Sequence, residues 1–165
     1  MNTGQMMLSL GALIFLSVII LNVNSNQLST EETMINSKLG LIAVSLATSY
    51  LEEANARAFD LATVDNFVTD LNTLTSPSSL GPAGGEYYPN YNDFDDYNGL
   101  NRVDDVDDVP FNVKCTVVYV NATSPDTKSS NKTWNKKLTV KIYTANELMQ
   151  DTIEVSSIFS YWKEI

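Results

Sequence analysis

An uncharged apolar run at the N-terminus limits the folds that this chain can adopt. Residues 5–21 read QMMLSLGALIFLSVIIL, and no charged side chain precedes Glu31. As a helix, the stretch from Met6 to Leu21 would span roughly 24 Å, slightly less than the ~30 Å hydrocarbon core of a bilayer. A chain of 165 residues does not need such a segment to build a core. We therefore expect the run to lie in a membrane or in the apolar shaft of a fibre.

Simpler interpretations of the run stay open beside a fibre stem. A secretory signal peptide typically carries basic residues ahead of its apolar core, and residues 1–4 (MNTG) carry none. A plain membrane anchor needs only sufficient length and hydropathy. Signal peptide, anchor and stem are therefore the alternatives that the residues allow.

Behind the apolar run, the sequence predicts a weak joint and then an amphipathic helix. Three asparagines lie between residues 22 and 26, and asparagine favours turns and caps over helix interiors. Ser29 and Glu32 have the spacing of a capping box, which predicts that a helix restarts there. Apolar residues at helical spacing continue to Leu46, and the helix is expected to end near residue 59. A weaker helical period predicts a short second helix over residues 61–73.

The C-terminal half shows the alternation that is typical of an antiparallel sheet. Residues 111–120, 137–144 and 151–162 each alternate apolar and polar side chains, which predicts strands with one apolar face. The amphipathic helix is the only large element that can cover this face. The predicted fold class is α+β, with a long N-terminal hydrophobic-to-amphipathic helix packed on a small antiparallel β-sheet. The predicted division is a hydrophobic stem segment with its joint, residues 1–29, and the helix and sheet domain, residues 30–165.

Composition disfavours several functional classes. The formal net charge of −10 argues against nucleic acid as a partner, because phosphate binding needs Lys and Arg. Histidine is missing from the sequence, and the single cysteine, Cys115, lies in an alternating strand without a catalytic base. The glycines of residues 81–85 (GPAGG) lack the lysine of a phosphate loop. We expect neither enzymatic activity nor a nucleic-acid partner.

An aspartate-rich stretch after residue 92 is the candidate metal site. Its carboxylate and amide oxygens are the ligands that Ca²⁺ prefers, although their spacing is not that of an EF-hand. Alternatively, the aspartates cap turns and bond backbone amides, or meet a lysine of a neighbour such as Lys136 or Lys137. The candidate calcium ligands are Asp93, Asp95, Asp96, Asn98, Asp104, Asp105, Asp107 and Asp108.

The polar stretch between the first two predicted strands contains two N-glycosylation sequons. They are Asn121-Ala-Thr and Asn131-Lys-Thr. Such tripeptides act as acceptors in surface loops of exported chains. Asn121 and Asn131 are therefore predicted glycosylation sites in a cell that has the machinery.

An apolar N-terminus, an amphipathic helix and a small antiparallel sheet, in this order, resemble the type IV pilin superfamily. Residues 93–99 (DFDDYNG) look like an aspartate-rich motif, F-D-D-x-D-D-Y-x-G, that precedes the sheet in minor pilin-like and pseudopilin-like proteins. The mannose-sensitive haemagglutinin pilus group is among them. Residues 103–108 (VDDVDD) repeat the acidic half of this motif.

The resemblance implies a structural subunit of an extracellular type IV pilus-like filament, which polymerises with copies of itself through the N-terminal helix. The subunit would lie in the inner membrane before assembly and in the filament at the cell surface afterwards. Alternatives are a membrane-anchored minor pseudopilin of a secretion or pilus-assembly complex, and a membrane-tethered calcium-binding module. The residues implied for the membrane and polymerisation stem are Gln5, Met6, Leu10, Leu13, Phe15, Ile19 and Leu21.

The start of the stem departs from the pilin pattern. Pilins carry a glycine at the leader-peptidase cut and a glutamate shortly after it; here Gly4 and Gln5 mark the possible cleavage, and no glutamate follows. If Met1 begins the mature chain instead, Gln5 stands near the usual position of that glutamate. In the pilin scheme the carboxylate pairs with a neighbour's N-terminal amine. Glutamine can hydrogen-bond the same group, but without the ionic attraction.

Overall fold

A computed structural model describes residues 2–144, 149 and 151–161. Its helix α1 (Thr3–Asn55) precedes a five-stranded antiparallel sheet, which confirms the α+β fold class. Single 3₁₀ turns lie between helix and sheet, at Leu61–Thr63, Leu71–Thr73 and Asp95–Tyr97. The strands are β1 (Asn101–Val106), β2 (Val109–Asn121), β3 (Ser124–Lys128), β4 (Asn135–Thr144) and β5 (Ile153–Ser160).

The sheet has the order β1-β2-β4-β5, and β3 pairs with the end of β2. The strands predicted over residues 111–120 and 137–144 are confirmed as β2 and β4. The strand predicted over residues 151–162 is confirmed as β5, while Trp162 lies outside the described residues. In the central pair, Cys115 lies opposite Val140, and Tyr119 lies opposite Lys136. This register decides which side chains of β4 enter the core.

Two strands lie where the sequence predicts loops. β1 falls within the aspartate-rich stretch, and β3 falls within the polar stretch that carries the sequons. A tight turn joins β1 to β2, in which Asp107 and Asp108 have positive φ angles of 52° and 62°. Two successive left-handed residues form the hairpin turn whose twist matches that of paired strands, and aspartate tolerates this backbone. The second acidic pair therefore makes a hairpin.

Helix α1 is continuous through residues 22–29, so the predicted joint and helix restart are wrong. Ser29 is an interior residue whose carbonyl accepts a hydrogen bond from Thr33 Oγ1 at 2.8 Å. An asparagine inside a helix costs at most about 0.7 kcal/mol relative to alanine, and helix propagation is cooperative. Three asparagines therefore do not interrupt a helix of 53 residues. The chain forms two compact units, residues 1–39 and 40–165.

Within residues 40–165, the C-terminal part of α1 packs on the sheet. Its buried side chains recur at helical spacing and include alanines, which allow a close approach. Tyr50 Oη donates a hydrogen bond to Asp104 Oδ2 of β1 at 2.5 Å, and Asn55 Nδ2 donates to Ser157 Oγ of β5 at 3.2 Å. The buried helix residues are Ala43, Ala47, Tyr50, Leu51 and Ala54, and the buried sheet residues include Phe111, Val113, Cys115, Val117, Tyr119, Leu138, Val140 and Ile142.

The helix predicted over residues 61–73 is wrong, because only a single 3₁₀ turn forms at each end of this range. Asp60 caps the first turn by accepting from the Ala62 amide at 3.2 Å. Asp70 caps the second by accepting from the Asn72 amide at 2.9 Å. Such local carboxylate bonds compete with a continuous helix. Around these turns, Phe59, Val68 and Leu74 pack with Tyr119 in a buried cluster.

Candidate functional site

The N-terminal unit, residues 1–39, exposes the apolar side chains of its helix. The helix contains an 18-residue window with a mean hydropathy of 2.4 and no buried side chain, long and apolar enough to cross a membrane. An anchor and a signal sequence share this property. Large exposed apolar surfaces mark interaction sites. The predicted stem residues Met6, Leu10, Leu13, Phe15, Ile19 and Leu21 are between 42% and 68% exposed.

Hydroxyl groups within the apolar stretch have partners inside the helix. Ser9 Oγ donates to the Gln5 carbonyl at 2.7 Å, and Ser17 Oγ donates to the Leu13 carbonyl at 2.9 Å. An unpaired hydroxyl would be costly in lipid or among packed helices. Both serines are therefore compatible with an apolar environment.

Gly4 and Gln5, the predicted cleavage position, lie in the first turn of α1. The Gln5 amide donates to the Asn2 carbonyl at 2.9 Å, and no acidic residue lies in this turn. Processing at this position stays a prediction. The departure from the pilin pattern thus lies at the exposed beginning of the helix.

The predicted calcium ligands divide between two structural settings. Asp93, Asp95 and Asp96 are buried, in or beside the 3₁₀ turn that precedes the sheet. The other aspartates belong to the hairpin of β1 and β2. Among the described residues, no three acidic or cysteine side chains are arranged to hold a metal ion. Calcium binding stays a prediction.

Asp93 and Asp96 bond the backbone of their own loop. Asp93 Oδ1 accepts from the amides of Asp95, at 2.8 Å, and Asp96, at 3.3 Å. Asp96 Oδ2 accepts from the amides of Asn92, at 3.0 Å, and Asp93, at 3.2 Å. Asn98 joins the loop to β2, since its Oδ1 accepts from the Val117 amide at 2.9 Å. The turn-capping alternative therefore describes these side chains.

The cation beside this loop is Lys136 of the same chain, and its side chain is fully buried. Its Nζ donates to Asp60 Oδ2 at 2.7 Å, to the Phe59 carbonyl at 2.8 Å, and to Asp95 Oδ1. It also lies 4.6 Å from the centre of the Phe59 ring and 5.3 Å from that of Tyr119. We call Lys136, Asp60, Asp93 and Asp95 the buried charge cluster.

The carboxyl groups of the buried charge cluster differ in pKa. Burial, and then the charges of Asp95 and Asp96, raise the pKa of Asp93 to about 8. Burial also raises the pKa of Asp95, and Lys136 opposes this only in part. Burial also tends to raise the pKa of Asp60. This effect is outweighed by the charge and hydrogen bond of Lys136 and by the amides of Thr75 and Ala62, so the pKa of Asp60 is lowered overall. The cluster thus contains one carboxyl group that favours its protonated form, Asp93, and one that favours its ionised form, Asp60.

Asp60 and Lys136 are not among the predicted site residues, although a signal for Lys136 exists. Lys136 has the same parity as Leu138, Val140 and Ile142, the apolar face of β4, so the alternation places it inward. No comparable pattern marks Asp60. Its partners, which include Lys136 Nζ at 2.7 Å and the Thr75 amide at 3.0 Å, explain why a carboxylate is buried there.

The hairpin aspartates have other partners. Arg102 Nη2 lies 2.6 Å from Asp104 Oδ1, the same carboxylate that Tyr50 bonds. The Arg102 guanidinium is 4.5 Å from the centre of the Tyr88 ring. Asp105, Asp107 and Asp108 are exposed. This part of the acidic stretch fastens β1 to α1.

The remaining predicted residues are Cys115 and the sequon asparagines. Cys115 is buried, and burial raises the pKa of its thiol to about 12, which makes it unreactive near neutral pH. Asn121, the last residue of β2, and Asn131 are both exposed. Exposure is what a glycosylation acceptor requires, and glycosylation at both sites stays a prediction.

Comparisons with protein-family models, curated proteins and solved structures find no match for this chain. The architecture is pilin-like, because a long helix with an apolar N-terminal part continues into a part that packs on an antiparallel sheet. The finer resemblance to the mannose-sensitive haemagglutinin group rests on sequence alone and stays a prediction.

Proposed function

We propose that this chain is a structural subunit of an extracellular type IV pilus-like filament, which polymerises through its N-terminal helix. The observation that carries the proposal is the exposed, uncharged stem of α1. The same helix continues without a break into its C-terminal part, whose apolar side chains are buried against the sheet. Its apolar side chains need an environment that residues 1–39 do not provide for themselves. In the membrane that environment is lipid, and in a filament it is the stems of other copies.

The acidic sheet domain supports the same proposal. The net charge of −10 disfavours nucleic acid as a partner, and it suits a surface that faces solvent. The first charged residue of the sequence is Glu31, so stems that pack together bring no like charges into contact.

Electron microscopy of material sheared from cells that produce the protein tests the proposal. We expect filaments that antibodies to the sheet domain decorate along their length, and a mature chain that retains residues 6–21 when its mass is measured. A cut after Gly4 would agree with prepilin processing. Loss of the whole apolar run, or monodisperse protein in detergent with no filaments on the cells, would contradict the proposal.

A second candidate is a membrane-anchored minor pseudopilin of a secretion or pilus-assembly complex. The uncharged first turn of α1 favours it, because Gln5 lacks the carboxylate that successive pilins use to pair with an amine. Quantitative mass spectrometry of the sheared fraction separates the two candidates. A filament subunit dominates that fraction, whereas a minor component stays in the membrane and is scarce in the fibres.

A further inference from the structure

Lys136 is held against two carboxyl groups at a site that excludes water. None of its side chain is accessible, and those of Asp60 and Asp95 are at most 2% exposed. Its nitrogen bonds both groups, and the carbonyl of Phe59 fixes it from a third side. Fixed reacting groups that exclude solvent favour reaction between them, because the entropy of bringing them together is already lost.

The two carboxyl groups are equipped for different roles. Asp60 accepts hydrogen bonds from the Thr75 amide at 3.0 Å, from Thr75 Oγ1 at 3.1 Å and from Tyr119 Oη at 3.3 Å. These donors stabilise a carboxylate. Asp95 lies beside Asp93, whose Oδ1 accepts from the Asp95 amide at 2.8 Å, and both side chains are buried, so two ionised carboxylates would repel each other here. Asp60 is thus suited to accept a proton, and Asp95 to be the neutral acid.

We propose that Lys136 Nζ and Asp95 Cγ condense to an intramolecular amide, an isopeptide bond that joins β4 to the 3₁₀ turn Asp95–Tyr97. Asp60 carries the protons in this reaction. The bond would link positions that are 41 residues apart. The inference is independent of the filament proposal, since it concerns only residues within the unit 40–165.

The step balances without an oxidant or a cofactor. The Lys136 ammonium gives one proton to the Asp60 carboxylate and becomes a neutral amine, which attacks Cγ of the protonated Asp95 carboxyl. A C–N bond forms and a C–O bond breaks. The departing hydroxyl takes the second nitrogen proton, relayed by Asp60, and leaves as water. The products are a neutral amide, a neutral Asp60 carboxyl and one water molecule.

The site stabilises the amide product at least as well as it stabilises the Lys136 ammonium and the Asp95 carboxyl group. An amide removes a buried ammonium and a buried acid, and its N–H donates to Asp60, which keeps its bonds to Thr75. The aromatic rings of Phe59 and Tyr119 beside Nζ exclude the water that would hydrolyse it.

Peptide mapping of the purified full-length protein tests the inference directly. Trypsin does not cleave after an acylated lysine, and cleavage after Glu86 puts Asp60 and Asp95 on different peptides. Digestion with trypsin and a glutamate-specific protease should therefore yield residues 133–137 joined to residues 87–102, lighter by one water than their sum. Cleavage after Lys136 and two separate peptides would overturn the inference. A bond to the peptide that contains Asp60 would overturn the assigned roles.

Variants separate chemistry from folding. Lys136→Arg and Asp95→Asn remove the reacting groups and should give only separate peptides, while Lys137→Arg, one position along the same strand, should keep the joined product. Asp60→Asn keeps an oxygen that the Thr75 amide can bond but removes the proton carrier. We expect it to form the bond about 10²-fold more slowly, measured as the growth of the joined peptide with time when unreacted protein from inclusion bodies is refolded. An unchanged rate in folded Asp60→Asn would contradict the role of Asp60.

Discussion

Two regions of this protein reverse the usual distribution of apolar and charged side chains. In the stem, residues 6–21, apolar side chains are exposed, whereas in the buried charge cluster an ammonium and three carboxyl groups are enclosed. The cluster is stable because each charged group has partners from the same chain. The stem has no such cover within its own unit, so its environment must come from outside. The buried charge cluster therefore has a structural or chemical role within the chain, whereas the exposed stem indicates assembly with other molecules.

The strongest test of this comparison removes the buried cation. In Lys136→Met the buried Asp60 carboxylate loses its counter-charge, and we expect the free energy of unfolding to fall by about 3–5 kcal/mol. Denaturant unfolding of the full chain in detergent measures the loss, with the fluorescence of Trp134, which packs beside this region, as the signal.

Lys137→Met is the matched control. Lys137 pairs at 2.8 Å with Asp126, whose side chain is 91% exposed, so the pair is screened by solvent and its loss should change stability little. Equal destabilisation by both substitutions would contradict the special role of the buried lysine.

The second test places a charge in the stem. Leu13→Asp should keep the sheet domain folded but remove the protein from membranes and filaments, because an aspartate in the middle of a membrane helix costs about 2.5–3.5 kcal/mol. Fractionation by centrifugation, together with near-ultraviolet circular dichroism, measures both properties. Leu13→Met, which keeps the apolar character, should behave like the wild type. The stem would lose its assigned role if the aspartate variant still sedimented with filaments.

A third test uses pH. Because the pKa of Asp93 rises from an ordinary value near 3.8 to about 8 on folding, the folded state binds more protons between these values. Stability contributed by this group is complete below the unfolded pKa and is lost as pH rises towards 8, with a slope of up to about 1.4 kcal/mol per pH unit. Asp93→Asn has no carboxyl group that can titrate at this position, so this loss is removed. The free energy of unfolding of the variant relative to that of the wild type should therefore increase from pH 5 to pH 8. An advantage that does not change with pH would contradict the assignment.

The smallest expected effect concerns the contact of α1 with the sheet. Tyr50→Phe removes the hydrogen bond to Asp104 but keeps the ring, so we expect a loss of about 1 kcal/mol, since Arg102 still pairs with the carboxylate. Thermal unfolding measures it. Tyr87→Phe, at an exposed ring, is the control and should leave the midpoint unchanged. Equal shifts in the two variants would show that the bond adds no stability.

Sequence patterns alone were sufficient to predict the apolar stem, the α+β class and the strands β2, β4 and β5. These features are periodic in neighbouring residues, and local periodicity is sufficient to predict them. It did not determine that α1 continues through its asparagines, because helix cooperativity outweighs the local preference for turns. Nor did it predict β1, whose aspartates resemble a loop until a left-handed turn pairs the strand with β2.

The buried charge cluster, by contrast, depends on contacts between elements that are distant in sequence. Lys136 bonds Asp60 and Asp95 across 76 and 41 residues of sequence. The parity of β4 directs Lys136 inward, but the carboxyl groups that it meets depend on the capped turn after Phe59 and on the loop before β1. Contacts between elements so distant in sequence arise from the packing of the whole domain, which local patterns do not specify.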